Sequence, residues 1–258
     1  MSRLVSNFRA RLRAVFSAGA MWATWLAGVA GVLAPALLAG NAWPPLHARC
    51  MAVTALSLSV ALALAWRTLD PAALQMPLLA LGCWLLSTVA LSWVGGSALS
   101  LWHGVLAALG VAALALAPVE GDTPAPAQRP DRSWRWFAGL ALLVALPLLI
   151  MPRGMAAHWP WRLSAPLVAQ YASMFFAWGV AAWLVSRERR RYVRMPVVWG
   201  VLVWAAGVLL TSLWHLAAFR LQSPPAWLWF AAFAATAAMA VHQVWPTAWW
   251  HPRKLLGP

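Results

Sequence analysis

Apolar residues fill this chain in long unbroken runs, and polar or charged positions gather at the joints between them. The runs cover roughly 16–40, 48–66, 74–94, 97–118, 136–151, 165–185, 196–215 and 226–244. Each is close to the ~20 residues a helix needs to cross ~30 Å of hydrocarbon. None carries a charged side chain in its middle. Lipid offers no partner to a backbone amide, so every amide must be paired within its own segment, and that predicts helices. The pattern predicts an all-α, polytopic membrane protein with eight transmembrane helices.

The joints group the helices. The longest polar stretch, 119–135, is rich in Pro, Gly and small polar residues that build no core, and it reads as a flexible linker. It separates a first four-helix half, 16–118, from a second, 136–246. A basic segment precedes them at 1–15 and a tail follows at 247–258. The halves share dipeptides: Trp43-Pro44 with Trp159-Pro160, Ala65-Trp66 with Ala182-Trp183, and Met76-Pro77 with Met195-Pro196, at separations of 116, 117 and 119 residues. Both halves start on the same side of the membrane, so a duplication would be of the parallel kind. Chance recurrence in a chain rich in Trp and Pro is the competing account.

Charge then orients the chain. The formal net charge is +14. In a soluble protein that would point to nucleic acid; here it follows the positive-inside rule. Arg3, Arg9, Arg11, Arg13, Arg67, Arg129, Arg132, Arg135, Arg187, Arg189, Arg190, Arg191, Arg194, Arg253 and Lys254 share one side, against Arg49, Arg153, Arg162 and Arg220 on the other. The asymmetry predicts cytoplasmic N- and C-termini and a bacterial inner membrane. Within 1–15, Leu4, Phe8, Leu12 and Val15 recur at helical spacing between arginines, as in a basic amphipathic helix lying on anionic headgroups. A plain charge cluster that sets topology explains the same residues. The start also has the layout of a signal peptide, closing on Ala39-Gly40-Asn41-Ala42, but the apolar run is about twice a signal core and is read as the first span.

Candidate chemistry is sparse. The acidic residues Asp70, Glu120, Asp122, Asp131 and Glu188 all map to joints. An ion-coupled transporter holds its ion on an intramembrane carboxylate, and no span supplies one. Paired-carboxylate catalysis within the membrane is excluded for the same reason. Gly95-Gly96-Ser97 with His103 is a faint trace of an intramembrane serine protease, but no later helix sets a second catalytic histidine in a small-residue packing surface. The only lysine, Lys254, leaves a retinal Schiff base no attachment point.

Histidine is the remaining signal. His103 lies a little way into one span and His215 ends another, and both are candidate axial ligands for haem. His47, Cys50 and Met51 in one half, and Met151, Met155 and His158 in the other, combine imidazole with soft sulfur, a donor set suited to copper. The plainer account is a scatter of interfacial histidines. Of the 21 tryptophans, most sit at span ends as interfacial belts, whereas Trp84, Trp199 and Trp204 are deeper, packing between helices or lining a pocket. Arg220 reads as a headgroup contact.

The function expected from this inventory is a membrane subunit or scaffold of a larger complex, or a handler of an apolar or lipid-like substrate. The alternatives are a haem- or copper-binding protein and a membrane sensor acting through 187–194. The expected partners are membrane lipids, anionic headgroups among them, and other membrane proteins, without nucleic acid.

Overall fold

The chain is seen in a computed structural model that describes residues 2–36, 43–68, 70–94, 101–117 and 131–245. Nine α-helices occur among these residues, with no strand beyond a single bridge pair. They are α1 (Ser2–Leu33), α2 (Pro45–Arg67), α3 (Pro71–Val94), α4 (Leu101–Leu116), α5 (Arg132–Ile150), α6 (Pro152–His158), α7 (Ala165–Arg187), α8 (Arg191–Trp214) and α9 (Pro224–Val244). Seven of them contain segments long and apolar enough to cross a membrane. The eighth expected span corresponds to α4, with 16 residues; residues 97–100 and 118 of that run lie outside the described set. So do Ala39–Ala42, Gly95-Gly96-Ser97, linker residues 119–130 and the tail 247–258. The protein is an all-α, polytopic membrane protein.

Boundaries follow local chemistry. Proline stands at the first turn of α2, α6, α7 and α9, where its missing N–H is not needed. α5 begins inside the stretch expected as linker, because Asp131 caps it: Oδ1 accepts from Ser133 N at 3.1 Å. α1 is continuous from the basic segment into the first span, rather than a surface helix followed by a separate one. α6 is a two-turn helix in a joint that hydropathy left blank.

The halves interlock. α1 packs on α2 as α5 packs on α7, and α3 packs on α4 as α8 packs on α9. Across the halves, α2 lies on α8 and α7 lies on α3. Every major pairing therefore has a counterpart with the halves exchanged. The joint between the second and third spans is alike too: Asp70 Oδ1 accepts from Ala72 N at 2.8 Å, and Glu188 Oε1 from Arg190 N at 2.6 Å. α2, α7 and α8 form the buried centre, while α1, α5 and α9 turn much of their surface to lipid, with Trp136, Leu143, Leu146, Trp227 and Leu228 exposed. Close approach of α2 and α8 depends on Gly200, where a Cβ would come within 2.8 Å of Trp178 and 3.1 Å of the Ser57 carbonyl. Gly19 has nothing within 4 Å and makes no such approach.

Candidate functional site

An aromatic ladder runs through the bundle. Ring centroids step from Trp43 to His47 (5.0 Å), Tyr171 (5.1 Å), Trp229 (5.8 Å), Phe233 (4.6 Å), Trp204 (5.0 Å), Phe137 (6.4 Å) and Trp134 (5.8 Å). These separations lie in the range where edge-to-face pairs attract. Trp159 and Trp161 join at Tyr171 and Trp229. The ladder links the end bearing the N-terminus of α2 to the arginine-rich end, where α5 starts.

His47 and its neighbours form the polar part of this core. Its Nε2 donates to Gln170 Oε1 at 2.9 Å, while Nδ1 is buried without a partner. Cys50 and Met51, on the next turn of α2, are also buried, and the Cys50 thiol neighbours the Tyr171 hydroxyl. Ser173 receives a hydrogen bond from Thr88 at 3.1 Å, so α2, α3 and α7 share polar contacts in a lipid-buried core. Of the remaining soft donors, Met151 and His158 are exposed and Met155 is half-buried. Among the described residues, no three His, Cys, Asp or Glu side chains come together as a metal ion would need.

The two candidate haem ligands sit on helices with different partners. His103 is half-buried on α4, which packs on α3 and α1. His215 caps the C-terminus of α8, and its Nε2 accepts from Arg49 Nη1. Arg49 also donates through Nε to Val32 O at 3.0 Å and lies 4.6 Å from the centre of the Trp214 ring. This latch joins the ends of α1, α2 and α8. Burial holds the His215 imidazole below its ordinary value, and the Arg49 charge adds to the effect. Arg220 donates to Pro160 O through its backbone and to Ala157 O through its guanidinium, so it ties the last loop to α6.

One opening lies on the outer surface of the bundle. A slot of about 450 Å³ separates α5 from α9. That lies within the ~300–1,000 Å³ typical of small-molecule sites. α5 contributes Ser133, Trp136, Phe137, Leu140, Ala141 and Val144; α9 contributes Ala232, Phe233, Ala235, Thr236 and Met239. Phe175 of α7 and Trp204 of α8 close the back, so ladder rings form the inner wall. The slot exists because α5 rests on α7 and α9 on α8, leaving a gap outside that pair. The hydroxyl of Thr236 is spent on Ala232 O, and that of Ser133 on Asp131 Oδ1. What remains for an occupant is hydrocarbon. Ser133 and Val144 are eleven residues apart along α5, about 16 Å at ~1.5 Å per residue. That is half of the ~30 Å apolar thickness, on the arginine-rich side.

In the first half, the equivalent helices α1 and α4 are tied at this end by Arg13 Nε donating to Leu116 O at 2.9 Å. In the second half the tie is a side-chain cluster. Gln243 Nε2, from the end of α9, donates to Asp131 Oδ2 at 2.7 Å, and Arg191 Nη2 donates to Gln243 O at 3.0 Å.

Hydropathy alone foresaw neither the slot nor this cluster, because both arise where α5, α8 and α9 meet. Gln170 could have been found as an amide within an apolar run, since a polar group there needs a partner. Trp204, read as either packing or pocket lining, does both. No family model matches this chain, and neither a curated protein nor a solved structure matches it.

Proposed function

We propose that this protein is a lipid-handling membrane protein that takes the hydrocarbon chain of a bilayer lipid into the slot between α5 and α9. The observation that carries this reading is the slot itself: apolar walls, an opening towards lipid, and a length of one leaflet. Burying apolar groups in a preformed cavity of this kind favours a flexible chain over a polar solute. The reading is of a binder, since the only hydroxyls in the slot walls, on Ser133 and Thr236, are already hydrogen-bonded and no titratable acid–base group lines it.

The arginine asymmetry supports an arrangement in which the slot opens on the cytoplasmic leaflet of a bacterial inner membrane, with both termini in the cytoplasm. A reporter active only outside the cytoplasm should be silent after Pro258 and active after Gly96; the reverse pattern would overturn this orientation.

The slot is tested with the full chain in vesicles containing a phospholipid that bears a diazirine on its acyl chain. After photolysis, adducts should concentrate at 133–144 and 232–239. They should exceed those on the exposed faces of Leu146, Ile150 and Leu210, which meet lipid outside the slot. Uniform labelling of all lipid-facing surfaces would refute the reading.

A further inference from the structure

We infer that the slot selects an anionic lipid, whose headgroup phosphate is held at the arginine-rich end by Arg194 and Arg191. The inference rests on the slot reading and adds the chemistry of the headgroup.

Asp131 is the carboxylate beside Arg194, and its oxygens are already engaged. Oδ1 accepts from Ser133 N at 3.1 Å and from Ser133 Oγ at 2.6 Å, and Oδ2 accepts from Gln243 at 2.7 Å. Arg194 reaches it only at 3.9 Å, too long for a hydrogen bond. The Arg194 side chain is 15% exposed, and its Nε is buried without any partner. A guanidinium presents a fork of donors that matches an oxyanion, and leaving one shielded and underused is costly. Arg191 lies one turn away on α8, close enough for the two charges to repel. Arg194 thus stands beside a saturated carboxylate, and Arg191 beside Gln243, at the arginine-rich end of an apolar slot one leaflet deep. A phosphate attached to a chain satisfies both parts at once; a free phosphate satisfies only the first.

The test titrates detergent-purified full-length protein with dioleoylphosphatidylglycerol and with dioleoylphosphatidylcholine, reading bound lipid by native mass spectrometry. The two lipids share their chains and differ in net charge. Phosphatidylglycerol should bind about tenfold more tightly, which corresponds to ~1.4 kcal/mol. Arg194→Gln should remove most of that preference, weakening phosphatidylglycerol well beyond any loss of phosphatidylcholine. Raising NaCl from 0.05 to 0.5 M should weaken the anionic lipid more than the zwitterionic one, because the contact is electrostatic; this measurement needs no variant to fold. Millimolar inorganic phosphate should displace neither lipid. Ala235→Trp, which fills the slot, should weaken both.

Equal affinity for the two lipids, with both lost in Ala235→Trp, would overturn the headgroup inference and leave the slot reading standing. Binding indifferent to Ala235→Trp would overturn the slot reading itself. Displacement of the anionic lipid by inorganic phosphate would show a site for free phosphate and would also overturn the proposal.

Discussion

Gly200 offers a direct measure of how closely the two halves must approach. It sits on α8 where that helix meets α2. An added Cβ would lie 2.8 Å from the Trp178 ring, 3.0 Å from Ala61 Cβ and 3.1 Å from the Ser57 carbonyl oxygen. The first neighbour is a fully buried ring stacked near Trp204, and the last is backbone, so none yields easily. Overpacking of this kind costs about 1–3 kcal/mol. Replacing a helical glycine by alanine returns up to ~1 kcal/mol. Gly200→Ala should therefore be destabilising by about 0–2 kcal/mol. Gly200→Leu, which must drive α2 and α8 apart, should exceed ~3 kcal/mol. At roughly 2–4 °C per kcal/mol for a chain of this size, the leucine variant should melt on the order of 6–12 °C lower. The control is Gly139→Ala, where nothing lies within 4 Å and only the helix gain applies. The assay is thermal unfolding in detergent, followed by the loss of the monodisperse peak on size exclusion. A leucine variant as stable as wild type would refute the claim that the halves are in close backbone contact at this point.

Other outcomes follow from the polar contacts. His215 is held below its ordinary value in the folded chain, so its contribution is complete above about pH 6.5 and is lost as the pH falls through the lowered value. Protonation removes the lone pair that accepts from Arg49 and sets two cations together. Between pH 6.5 and 5, wild type should lose more thermal stability than His215→Gln; parallel curves would show that the latch carries no such linkage. Gln170→Leu leaves the His47 ring without its one hydrogen bond and should cost about 1–3 kcal/mol; an unchanged melting temperature in detergent would refute the pairing. Trp161→Ala removes a buried ring that meets Trp159, Trp229 and Phe219, and should cost about 3–5 kcal/mol, read as lost folded protein after heating. Gln243→Ala breaks the α9–α5 tie at Asp131 and should speed exchange of a slot-bound lipid, measured by chase with unlabelled lipid.

The class of protein and the course of the chain were legible in the order of its residues. Length and apolarity decide whether a segment can be a lipid-embedded helix, and those are local properties. Hence 48–66, 74–94 and 165–185 reappear as α2, α3 and α7 with ends moved by a few residues. The shared dipeptides hinted at two related halves, but not that α2 would lie on α8 and α7 on α3, since helices in lipid sort by fit between surfaces far apart in the chain. Which polar groups meet depends on packing between helices distant in the chain. His47 and His215 stood out as residue types, yet their neighbours Gln170 and Arg49 lie 123 and 166 residues away. Arg194 looked like one more member of a basic joint until Asp131 and Gln243 were brought beside it. The slot has no signature in the chain at all, because a gap is defined by where α5 and α9 do not touch, and that follows from each resting on a different member of the α7–α8 pair.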